Sequence, residues 1–88
     1  MIYPQEAEKP SFADAVAAEV QRARSLHGDY NSLHEGYAVL MEKVEEFWEE
    51  VRKKSAKRKL ADAYKELTHV AAVAQRIAEG VIDKGNLR

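Results

Sequence analysis

The sequence contains no cysteine. That absence removes disulfides, zinc–thiolate centres and thiol nucleophiles together. Proline is nearly missing: both prolines lie in the opening "MIYPQEAEKP", and none follows Ser11 to break a helix. The four glycines, Gly28, Gly36, Gly80 and Gly85, form neither a P-loop nor a dinucleotide-binding turn, and no serine–histidine–acid triad is legible. No apolar run approaches the roughly 20 residues of a bilayer-spanning helix, so no membrane partner is expected. The polar start does not read as a signal peptide, and a cytoplasmic location is expected. Excess charge of one sign is lacking too. Fourteen Lys and Arg face fifteen Asp and Glu, a formal net charge of −1, without the basic surplus usual in polyanion binders.

What is present is helix. The 88 residues are 45% hydrophobic and 33% charged, the composition of a folded chain. So small a domain buries only about 60–65% of its extended-chain surface, and its core is marginal unless a partner chain adds to it. Residues 1–10 read as an extended segment, 11–83 as one all-α domain and 84–88 as a frayed tail. Ser11 with Asp14 forms a capping-box pattern, and Phe12, Val16, Val20 and Ala23 mark an apolar stripe that ends at Gly28. Ser32 with Glu35 repeats the pattern before "LHEGYAVLMEKVEEFWEEVRKK". There Tyr37, Leu40, Val44, Phe47 and Val51 fall at spacings of 3, 4, 3 and 4, a clean seam. A third helix is expected from about Lys57 to Ile82, its seam running through Leu60, Tyr64, Leu67, Ala71, Ala74, Ala78 and Val81. Two long antiparallel helices in so short a chain imply a helical-bundle dimer or tetramer.

The acids separate on the helical wheel. Glu42, Glu45 and Glu49 share one sector of the second helix, whereas Glu46 and Glu50 share another with Lys43. On the third, Asp62, Glu66 and His69 form a stripe offset from the seam. Two carboxylates about 6 Å apart repel by roughly 3 kcal/mol at an effective dielectric near 20. Facing acidic stripes therefore call for proton uptake, a neighbouring cation or a divalent metal. Oxygen-rich clusters suit Mg²⁺ or Mn²⁺. The plainer reading is the wet side of amphipathic helices.

"HEGYAVLMEKVEEFWEEV" followed by "YKELTHVAAVAQRI" resembles the MazG-like branch of the all-α nucleoside triphosphate pyrophosphatases, over roughly His27 to Val81. The resemblance implies a Mg²⁺-dependent hydrolase that cleaves a nucleoside triphosphate to the monophosphate and pyrophosphate. It also implies a helical homodimer or homotetramer with sites where subunits meet. Of the family's paired ligands, E-x-x-E and E-x-x-D, Glu46 and Glu66 match, while Lys43 and His69 stand where acids are expected. The implied metal set is Glu46 and Glu66 with His69 and Asp62. Glu42, Glu46 and Glu50 are the catalytic candidates, Glu42 or Glu50 to orient or deprotonate water. Lys43 and Arg76 are candidates for the phosphates, together with the Lys53–Lys59 run, and Trp48 for the base. Trp48 is read equally as a core or interface residue. The departures at Lys43 and His69 support an alternative, a degenerate helical oligomer that binds nucleotide or a protein partner without hydrolysis, in which Lys43 pairs with Glu46. The run "RKKSAKRK" lacks interleaved aromatics and follows a helix C-terminus that favours cations, so nucleic acid is not an expected partner.

Overall fold

The computed structural model describes residues 10–86, which fold into three helices with no strand among them. Helix α1 spans Phe12–His27, α2 Leu33–Val51 and α3 Leu60–Ile77; a 3₁₀ turn (Ser55–Lys57) precedes α3, and a π-helical turn (Ala78–Ile82) continues it. The expected extended segment, apart from Pro10, lies outside the described residues.

Local chemistry sets both ends of α1 and the start of α2 where the sequence indicates. Ser11 Oγ accepts from the Asp14 amide, and the Asp14 carboxylate accepts from Ser11 N–H, a reciprocal capping box. Gly28 ends α1 at φ 71°, and its amide donates to Arg24 O. Ser32 Oγ caps α2 through the Glu35 amide. The Glu35 carboxylate, however, accepts from Asn31 N–H and Nδ2 rather than from Ser32, so its return bond is displaced one residue upstream.

α2 and α3 run antiparallel, because Gly36 in the first turn of α2 lies against Ile77 at the end of α3. A Cβ at Gly36 would sit 2.7 Å from Ile77 Cγ1, so glycine permits this closeness. α1 packs on α3 through Val16, Val20 and Ala72, with Ala71 alongside. Val16, Val20 and Ala23 are buried as their spacing predicts; Phe12 is partly exposed and meets Tyr64 edge-to-face at 5.5 Å.

The other two seams are divided. On α2, Tyr37, Val44 and Val51 are exposed while Leu40 and Phe47 are half-buried; on α3, Leu60, Tyr64 and Leu67 are exposed, whereas Ala71 packs on the core and Val81, in the π-helical turn, is fully buried. Thr68, Ala72, Val73 and Arg76 add a buried side of α3 that the seam did not include. Small residues bring helices close: Gly36 lets α2 approach Ile77 of α3, and Ala72 lets α1 approach α3 at Val16 and Val20.

The segment between α2 and α3 also departs from a continuous basic helix. Arg58 donates to Val51 O and Lys53 O, closing the carbonyl end of α2, and Lys54 and Arg58 take extended backbone. α3 therefore starts at Leu60 instead of about Lys57. Stacking the cations of this segment along one helix would set like charges a turn apart. Where a frayed tail was expected, Lys84 pairs with Asp29 and Asn86 Nδ2 donates to Asn31 O. Leu87 and Arg88 lie outside the described residues. No described helix is long and apolar enough to cross a membrane.

Candidate functional site

The three helices and the α1–α2 connection enclose a cleft of about 420 Å³. α1 contributes Glu19, Arg22, Ala23 and His27, the connection Asp29 and Tyr30, α2 Glu35, Val39, Glu42 and Lys43, and α3 His69, Ala72, Val73 and Arg76. Its floor is apolar and its walls are charged. Four residues singled out in the sequence, Glu42, Lys43, His69 and Arg76, are gathered here. Glu46, Glu50, Trp48, Asp62 and Glu66 are not in its lining.

Arg76 is the most deeply placed of the charged groups, at 5% exposure. Its Nη1 donates to Tyr30 Oη at 2.7 Å, its Nη2 to Gly28 O at 2.9 Å, and its guanidinium carbon lies 4.3 Å from the Tyr30 ring centroid. Burial in turn pushes the Tyr30 hydroxyl above its ordinary pKa, against the opposing pull of the Arg76 charge. Arg76, expected to meet a phosphate, instead ties the α1–α2 connection to α3. Its Nε is buried without a partner.

On the opposite wall, Glu19 receives two bonds from Arg22, at 2.8 and 2.6 Å. This bidentate pairing holds its carboxyl below the usual range; burial opposes the shift, and the Arg22, His69 and Lys43 charges add to it. His69 stands between two carboxylates. Its Nε2 is 4.0 Å from Glu19 Oε2, and its Nδ1 is 3.9 Å from Glu66 Oε2. Those separations exceed a hydrogen bond. Glu66 Oε2 is buried and has no hydrogen-bond partner among the described residues. An acceptor held dry without a donor is costly, and a cation would relieve it.

The α2 acids divide. Glu46 pairs with Lys43 at 3.2 Å, yet its side chain remains 47% exposed. Glu50 accepts from Lys53 and Glu49 pairs with Arg52. Glu42 differs: it is the one carboxylate lining the cleft that has no bonded partner among the described residues. Trp48 is 52% exposed on the outer side of α2, where it adjoins the exposed seam. Asp62 lies in the first turn of α3, among the lysines of the α2–α3 connection.

Among the described residues no group of three or more acids and histidines is placed to hold a metal ion. The donor chemistry nevertheless fits Mg²⁺ in its usual mode, one or two carboxylates together with substrate phosphates and water. The unpartnered Glu66 oxygen is the group that observation favours. Sequence reasoning missed Glu19, Arg22 and Tyr30. Glu19 was discoverable, since it lies one turn after Val16 and borders the buried stripe. Comparison with models of protein families, with curated proteins and with solved structures finds no match.

Proposed function

We propose that this chain is a nucleoside triphosphate pyrophosphohydrolase of the MazG-like kind, using the cleft between its three helices. One observation carries this reading: Glu66, a match to a family ligand position, keeps a buried carboxylate oxygen with no hydrogen-bond partner among the described residues, beside His69 of the cleft lining. In it Lys43 and Arg22 face the phosphates, replacing their present carboxylate partners Glu46 and Glu19 with phosphate oxygens. Glu42, without a bonded partner among the described residues, orients the attacking water and takes its proton. Glu66 and Glu46 stand outside the cleft lining but next to its residues His69 and Lys43, and they would hold the Mg²⁺ at the rim once Lys43 has turned to the substrate. When bound, the ion supplies charge neutralisation along the phosphates. The released products are the monophosphate and pyrophosphate.

Self-association belongs to the same proposal. The apolar side of α2 formed by Tyr37, Met41, Val44, Trp48 and Val51 is exposed in the single chain, as are Leu60, Tyr64 and Leu67 of α3. The radius of gyration is 15.4 Å, against about 12 Å for a compact chain of this length. Both features support a homodimer or homotetramer in which a second copy covers these seams.

The test is pyrophosphate release from a panel of ordinary and modified nucleoside triphosphates, with Mg²⁺ or Mn²⁺. Turnover is expected for some member, with Glu66→Ala and Glu42→Gln each lowering it at least about 100-fold. Folded protein that turns over none of the panel removes the hydrolase reading. The Lys43–Glu46 ion pair favours a second reading, a non-catalytic relative that binds nucleotide or a protein partner. That reading expects no change in Tm with Mg²⁺, whereas a hydrolase that binds the ion is stabilised by it.

A further inference from the structure

The α2–α3 corner carries a feature separate from the cleft. Lys53, Lys54, Lys57, Lys59 and Asp62 line an open concavity of about 610 Å³, with no apolar or aromatic residue among them. Lys53 is held by Glu50 at 2.9 Å. The side chains of Lys54, Lys57 and Lys59 have no hydrogen-bond or ion-pair partner among the described residues. The corner keeps its shape because Arg58 is turned inward onto Val51 O and Lys53 O, leaving the lysines directed elsewhere. The next helix also begins without a side-chain cap: Lys59 occupies the cap position and bonds no amide through its side chain.

We propose that this corner is a binding site for an oligophosphate chain, distinct from the nucleotide cleft. Four ammonium groups and one carboxylate leave a lining charge of +3, and each ammonium is a hydrated point charge suited to phosphate oxygens. A single orthophosphate is small for the concavity, whereas linked phosphates reach several lysines at once. Single-stranded nucleic acid fits less well, because its binding grooves add aromatic platforms for the bases and none lines this concavity. The phosphate chain is either free inorganic oligophosphate or the tail of a nucleotide.

Calorimetric titration of the full chain with sodium tripolyphosphate, ATP and a thymidine oligonucleotide, at about 50 and about 200 mM salt, tests the site. Tripolyphosphate or ATP is expected to bind, at least about tenfold more weakly at the higher salt. The surface variant Lys54→Gln/Lys57→Gln/Lys59→Gln is expected to lose at least about tenfold in affinity. A larger loss for tripolyphosphate assigns free oligophosphate; a larger loss for ATP assigns the nucleotide tail. Unchanged affinities in the triple variant, absence of binding by both phosphates, or tighter binding of the oligonucleotide would overturn the proposal.

Discussion

At the scale of single residues, Arg76 shows how a buried cation is committed. Both of its terminal nitrogens hold the α1–α2 connection, through Tyr30 Oη and Gly28 O. Arg76→Ala leaves those two acceptors without their donor and opens space beneath the cleft. The expected cost is about 2–4 kcal/mol of folding stability, read as a lowered urea midpoint; a midpoint unchanged from wild type contradicts the assignment. Glu19 makes a pH-dependent contribution. Its folded pKa is held below the ordinary glutamate value, first because Arg22 bonds it. A depressed carboxyl stabilises the fold above its unfolded pKa, and that contribution disappears as pH falls through the folded value. Wild-type stability is therefore expected to decline below pH 4.5, and Glu19→Gln to flatten part of that decline in acid melts. Parallel declines in the two proteins would count against the pairing.

At the scale of elements, the antiparallel pair depends on one close approach. Gly36 lets Ile77 sit where a Cβ would be. Gly36→Ala adds a favourable helix residue near the start of α2, worth up to about 1 kcal/mol, but sets a methyl 2.7 Å from Ile77 Cγ1. The overlap is with a side chain, so Ile77 shifts, and overpacking of this kind typically costs about 1–3 kcal/mol. A net lower Tm is expected, and the loss caused by Gly36→Ala is expected to vanish in an Ile77→Ala background, which lacks the Cγ1 that the new methyl meets. An equal loss in both backgrounds would place the cost elsewhere. The same approach explains why only part of the α2 seam turns inward: the helix puts glycine, not tyrosine, toward α3, and keeps Leu40 and Phe47 half-buried.

For the molecule as a whole, principal extents of 49 × 36 × 18 Å describe a thin slab with apolar side chains left on its surface. Burying such side chains is the main favourable term in association. Sedimentation equilibrium of the wild type is expected to report a dimer or tetramer, and Trp48→Ser/Met41→Ser to shift it toward monomer by at least about tenfold in Kd. Monomeric wild type at high micromolar concentration would remove the oligomer from the proposal.

Much of the fold was legible along the chain. Ser11, Ser32 and Gly28 mark helix ends by hydrogen bonding and φ preference that act within a few residues, so local sequence determines them. The all-helical class, the α1 stripe and the presence of Glu42, Lys43 and His69 on neighbouring helices follow from the same short-range rules. Tertiary structure decided the rest. Which side of α2 and α3 faces inward depended on Gly36 meeting Ile77, a contact 41 residues apart in the sequence. Glu42 was left open, Glu46 occupied by Lys43 and Arg76 withdrawn into the loop by neighbours that a wheel diagram cannot show. Periodicity specifies a face of a helix, but only packing against another surface determines where that face points and which charges it encounters.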